Sequence, residues 1–96
     1  MKYVQTDNNT AIIKVKGILG INIARTLESE FFKAQEIGCN KVVYDCTNTE
    51  AIDSVGLATL MNMNKRIKER PKLKNANTEI LKLLQISDML DEFELI

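Results

Sequence analysis

Tyr44-Asp45-Cys46-Thr47-Asn48-Thr49-Glu50-Ala51-Ile52-Asp53-Ser54-Val55-Gly56-Leu57 is the stretch on which the fold turns. Just before it, Val42-Val43-Tyr44 is a short continuous β-prone run, the pattern of a strand covered on both faces as in a parallel sheet. The strand ends in an acid, Asp45. Residues 45–52 then read as a polar loop with one apolar exit residue. Asp53-Ser54 opens a helix predicted over residues 55–68, with an apolar stripe of Leu57, Leu60, Met61, Met63 or Asn64, and Ile67, stopped by Pro71.

Upstream, residues 2–6 read as a first strand. Asp7-Asn8-Asn9 is a turn of side chains that tolerate left-handed backbone. Residues 11–16 alternate as a half-buried strand that Gly17 ends, with Ala11, Ile13 and Val15 on one face and Ile12, Lys14 and Lys16 on the other. From Asn22 to Glu36, Ala24, Leu27, Phe31 and Ala34 recur at helical spacing, while Arg25, Glu28, Glu30 and Lys33 occupy much of the remainder. Gly38 closes that helix. With Val42–Tyr44 this makes a βαβ unit, whose crossover is right-handed in nearly every known case. Downstream, residues 72–75 have room for a very short strand. Asn77 caps a helix over 78–85 carrying Ile80, Leu81, Leu83 and Leu84, and Phe93, Leu95 and Ile96 alternate with acids as a terminal edge strand. The expected fold class is α/β: one domain over residues 1–96 in the order β-β-α-β-α-β-α, a mixed four- or five-strand sheet covered by helices.

Composition removes several function classes. A hydrophobic fraction of 45% and a charged fraction of 27% are ordinary for a globular fold. The 13 basic and 13 acidic side chains cancel, so no global attraction draws the chain to nucleic acid or anionic membrane. Lys65-Arg66-Ile67-Lys68-Glu69-Arg70-Pro71-Lys72-Leu73-Lys74 concentrates basic residues but has no aromatic side chain to stack a base, and cations are favoured at a helix C-terminus. It therefore reads as a solvated helix end and not as a nucleic-acid interface. No apolar run approaches the roughly 20 residues that span a bilayer, and the N-terminus has no signal-peptide core, so a cytoplasmic location is expected. There is no histidine, and the two cysteines, Cys39 and Cys46, read as free thiols, so neither a metal site nor a cofactor is expected.

The chemistry concentrates at the second helix's mouth. Asp53 or Ser54 is the N-cap, and the unpaired N–H groups and helix dipole there suit an anion. A phosphate on Ser54 would therefore be tolerated by the fold, adding about −1.5 to −2 charges to the surface. Gly56 leaves no side chain over the first turn, so a partner's backbone could approach closely. Asp45 reads as a loop-end acid bonded to nearby N–H groups. The competing class is an enzyme using Asp45, Asp53 and Ser54. The missing histidine, the lack of a Gly-rich phosphate cradle and the small size count against it, so no catalytic residue is expected.

Ile52-Asp53-Ser54-Val55-Gly56-Leu57 resembles the signature of the STAS domain family, named for sulfate transporters and anti-sigma-factor antagonists: an acid-ended strand, then Ile-Asp-Ser-Ser/Thr-Gly-Leu opening a helix. The tail from Glu79 to Phe93 resembles the family's last helix and its ending, and the element order matches over nearly the whole chain. The resemblance implies a protein-interaction module, with Asp53, Ser54, Val55, Gly56 and Leu57 as partner-binding residues. It implies an anti-sigma factor antagonist whose partner is an anti-sigma factor that is also a serine kinase. Binding frees the sigma factor, phosphorylation breaks the complex and a phosphatase restores it. In typical antagonists the phosphorylated residue directly precedes the glycine. Here that position is Val55, which leaves Ser54 as the phosphoacceptor candidate; some stress-signalling relatives use the hydroxyl directly after the aspartate. The alternative is a STAS subunit of a lipid-transport ABC complex, where a threonine at that position supports binding. Asp88 stands where the family usually has glycine. Edge strands of a small sheet permit dimerisation without demanding it.

Overall fold

The computed structural model describes all 96 residues. In chain order the elements are β1 (Val4–Asp7), β2 (Thr10–Lys14), β3 (Gly17–Leu19), α1 (Ala24–Glu36), β4 (Lys41–Asp45), β5 (Thr49–Ile52), α2 (Ser54–Asn64), β6 (Lys72–Lys74), α3 (Thr78–Ile86), a 3-10 turn (Leu90–Glu92) and β7 (Glu94–Leu95). Five strands form one mixed sheet in the order β1-β2-β4-β6-β7; β1 and β2 are an antiparallel hairpin and the remaining pairs are parallel. Asn8 makes the hairpin turn in the left-handed region, φ 56°, where asparagine is tolerated. The mixed α/β architecture is the one the sequence predicts.

Three of the elements differ from the expectation; α2 ends at Asn64, short of the predicted residue 68, so Pro71 does not stop it. Thr49–Ile52 is not loop but strand, and Gly17, expected to end a strand, begins one instead, since β2 has already stopped at Lys14. β3 and β5 pair in parallel as a separate two-strand sheet. The Gly17 N–H donates to the Asn48 carbonyl at 2.9 Å, the Asp53 N–H to the Leu19 carbonyl at 3.2 Å, and the buried Thr49 hydroxyl to the Val15 carbonyl at 2.5 Å. A polar segment thus becomes a strand because another part of the chain supplies its hydrogen-bond partners.

The sheet is also not covered on both faces. Val4, Ile13, Tyr44 and Leu73 lie in register across four strands and are all buried. They join one core of nineteen apolar residues with Leu27, Phe31 and Ala34 of α1, Leu60 and Met63 of α2, and Ile80 and Leu84 of α3. The alternate row, Gln5, Ile12, Val43, Lys72 and Glu94, contributes no buried residue. All three helices therefore pack on one face, and Val43, expected to be covered, is only half-buried. Met61, assigned to the apolar stripe of α2, points outward, while Met63 and Met89 fill the core.

Glu30 is the charged residue within the core of α1, 7% exposed. Its carboxylate accepts the backbone N–H groups of Lys2, Tyr3 and Val4 at 3.0, 2.7 and 3.0 Å, fastening the start of β1 to α1. Burial raises its pKa, but the three N–H donors outweigh that and hold it below the ordinary glutamate value.

Candidate functional site

β5 delivers the chain to Asp53 in extended conformation (φ −90°, ψ −179°), and α2 begins at the next residue. Asp53, and not Ser54, is the N-cap: one carboxylate oxygen accepts the Gly56 N–H at 2.8 Å. The other accepts the Ile21 N–H at 3.1 Å, so the same side chain ties the β3–α1 connection to the mouth of α2. The bonds from Gly56 and Ile21 hold its pKa below the usual aspartate value. The β3–β5 ladder sets this approach, and Gly20 permits it, because a Cβ there would collide with the Asp53 carboxylate.

Ser54 is the first residue of α2 and is exposed. Since Asp53 does the capping, the Ser54 hydroxyl is not required for the helix to start. Val55 and Leu57 are half-buried. Gly56 is buried, contrary to the expectation that it stands open to a partner's backbone. A Cβ on Gly56 would lie 2.7 Å from the Leu19 carbonyl carbon and closer still to its oxygen. The backbone that approaches Gly56 is the protein's own β3, not a partner's, so Gly56 serves the fold. The accessible surface runs instead from Ser54 to Ala58 and Met61, four and seven residues on, and so along one helix face. Ile21, 69% exposed, lies beside its start through the Asp53 bond. Sequence reasoning missed Ile21; the signal was an isolated isoleucine directly after a glycine.

The family model described as Mlab, STAS domain, matches residues 3–96. The chain belongs to the STAS domain family. Three solved structures share the fold. The anti-sigma factor antagonist SpoIIAA in its unphosphorylated form is 15% identical with a TM-score of 0.84, over 97% of this chain and 85% of that one. The Bacillus cell fate determinant SpoIIAA in the phosphorylated form is 14% identical with a TM-score of 0.77, over 97% and 88%. An anti-sigma factor antagonist from Mycobacterium paratuberculosis is 17% identical with a TM-score of 0.79, over 96% and 80%. No curated protein matches the sequence.

In this STAS domain the loop-end acid Asp45 is engaged elsewhere. Its carboxylate accepts both the N–H and the hydroxyl of Thr47, at 3.1 and 2.5 Å. In register it lies between Lys14 and Lys74. The Thr47 hydroxyl bond is the main cause of its lowered pKa; burial opposes it, and the lysines add to it. Asp45 thus holds its own turn, the role the sequence favours, and does not pair with Asp53. No group of three or more Cys, Asp or Glu residues is placed to hold a metal ion. Cys39 and Cys46 are buried free thiols, and burial pushes Cys46 up to about 11, far from a reactive thiolate. Two arginines of the basic run turn back onto the domain. Arg66 lies 4.4 Å from the Phe32 ring centroid, and Arg70 donates to the Asp91 carbonyl at 2.9 Å. No helix is long and apolar enough to cross a membrane.

Proposed function

We propose that this STAS domain works by binding other proteins, as an anti-sigma factor antagonist of the partner-switching type, and that a phosphate on Ser54 releases the partner. One observation carries this reading: Ser54 stands exposed at the first position of α2 while Asp53 makes the capping bond. The hydroxyl has no structural duty, so modifying it breaks no internal bond. The positive end of the helix dipole accommodates the added charge on the folded side, whereas a partner seated on Ser54, Ala58 and Met61 would have to desolvate it. The fold shared with SpoIIAA, solved in phosphorylated and unphosphorylated forms, supports the same reading. So does the state of the carboxylates: Asp53 is tied to two backbone N–H groups, and Asp45 is spent on the N–H and hydroxyl of Thr47 within its own turn. The antagonist neighbours favour this role over that of a lipid-transport subunit, which would use the same surface for a different partner.

The test uses the serine-kinase anti-sigma factor of the same genome. With ATP, wild type gains one phosphate by intact mass and Ser54→Ala gains none. In titration calorimetry Ser54→Ala binds as wild type does, and Ser54→Asp binds at least about tenfold more weakly, with unchanged circular dichroism. Full affinity in Ser54→Asp overturns the switch.

A further inference from the structure

Parallel sheets occur almost only where both faces are covered. Here β2, β4, β6 and β7 run parallel, yet every helix packs on the same face. The outer face is laid out by register. Its central row is Gln5, Ile12, Val43, Lys72 and Glu94; on one side lie Lys14, Asp45 and Lys74, and on the other Asp7, Thr10 and Lys41. Ile12 and Val43, side by side in the middle, are half-buried, and the four lysines around them are exposed. The three central strands carry one carboxylate on this face, Asp45, which is already engaged by Thr47; Asp7 and Glu94 stand on the edge strands, Glu94 beside Lys72. The face is not flat. Thr10, Lys41, Val43, Glu69, Arg70 and Lys72 line a depression at one end, and Lys14, Lys16, Asp45 and Asn48 help line a second at the other. Five strands at their usual spacing and strand length give a platform of roughly 20 by 15 Å, the footprint of one helix of about three to four turns.

We propose that this outer face is a docking site for an acidic amphipathic helix of another protein. The aliphatic stripe of that helix rests on Ile12 and Val43, and its flanking Asp and Glu side chains meet Lys14, Lys41, Lys72 and Lys74. A helix is what covers a parallel sheet in other α/β folds, and the sign of the charges selects an acidic one. A second copy laid face to face about β4 would set the lysines of β2 over those of β6, which like-charge repulsion disfavours. The aliphatic centre gives a nucleic-acid base nothing to stack on. The site lies on the opposite side of the sheet from α2, so it stands or falls independently of Ser54.

The probe is a synthetic helical peptide of about 14 residues with leucine on one stripe and glutamate on the flanks, matched by a control with lysine for glutamate. The glutamate peptide should shift the backbone amides of Ile12, Val43 and Lys72 in nitrogen-15 spectra. Its affinity, read by fluorescence anisotropy, should fall about tenfold or more in the Lys41→Glu/Lys72→Glu variant and fall as salt rises from about 0.05 to 0.5 M. The lysine peptide should leave those amides unmoved. Four results overturn the proposal: shifts confined to the helical face, no shifts, equal binding of both peptides, or stronger shifts of the same amides by a single-stranded oligonucleotide. A dimer in sedimentation that the double variant dissolves also overturns it, since the face would then belong to self-association.

Discussion

Replacing Gly56 with alanine sets two physical effects of opposite sign against each other. Helix propensity alone favours the change, by ~1 kcal/mol within a helix and less in its first turn. The structure opposes it. The new methyl would lie 2.7 Å from the Leu19 carbonyl carbon and from its Cδ2, against the 3.4–4 Å of ordinary contact, with the carbonyl oxygen nearer still. Because the main obstacle is backbone, the carbonyl oxygen above all, β3 or the first turn of α2 must shift by more than an ångström. Overpacking of this kind costs ~1–3 kcal/mol, with a backbone obstacle at the upper end. Moving Leu19 also weakens the bond its carbonyl accepts from the Asp53 N–H, 3.2 Å long, worth ~1 kcal/mol. Less the propensity gain, the net loss is ~2–3 kcal/mol, which for a domain of this size lowers Tm by ~10–20 °C. The assay is thermal and urea unfolding followed by circular dichroism, with Ala58→Gly on the exposed face of the same helix as the propensity control. A Gly56→Ala protein as stable as wild type would refute the steric reasoning and return Gly56 to the role of admitting a partner. A tryptophan at this position would test the fold and not binding.

Two further substitutions probe the scaffold. Glu30→Gln should cost ~1–3 kcal/mol at neutral pH, because three backbone N–H groups lose a charged acceptor. Glu30 has a folded pKa below its unfolded value of about 4.3, so its contribution is present above that value and is lost as pH falls through the folded pKa. Unfolding curves below about pH 4 should therefore decline less steeply in Glu30→Gln than in wild type; parallel acid limbs would count against the latch. Asp88→Gly should gain ~0.5–1 kcal/mol, seen as a rise of a few degrees in Tm, because Asp88 holds φ 59° at the end of α3. There the Met89 and Asp88 N–H groups return to Leu84 and Gln85, as the Cys39 and Gly38 N–H groups return to Ala34 and Gln35 at the end of α1.

Those two helix ends show what sequence reasoning can and cannot reach. Gly38 announces its stop through residue type, while Asp88 performs the same stop without the glycine that signals it. Local patterns located the hairpin, the three helices and the short β6, because each follows a period or a cap. β3 and β5 were invisible for a physical reason. Neither has a strand-like pattern, and each becomes a strand only by pairing with the other across more than thirty residues of sequence, Gly17 with Thr49 and Leu19 with Ile52. Its charge assigns Glu30 to the surface, although its spacing from Leu27, Phe31 and Ala34 places it on the buried stripe. Within the motif, the exposed helix mouth at Ser54 was legible from capping chemistry. The occupant of the space over Gly56 was not, since it comes from the unforeseen β3.

The same long-range pairing explains why the proposed switch is placed at Ser54 and not at its neighbours. The hydroxyls nearest the motif on either side, Thr49 and Thr59, are both buried and donate to backbone carbonyls, of Val15 and Val55, while that of Thr47 donates to Asp45. A phosphate on either would have to be desolvated within the fold and would break a bond that holds an element in place. At Ser54 the cap is supplied by Asp53, and Asp53 is itself held by the Ile21 N–H from across the β3–β5 ladder. The helix mouth is capped without any help from the serine. Support from behind and a hydroxyl without duties in front would let the proposed phosphate be added at the surface while the fold stays as it is.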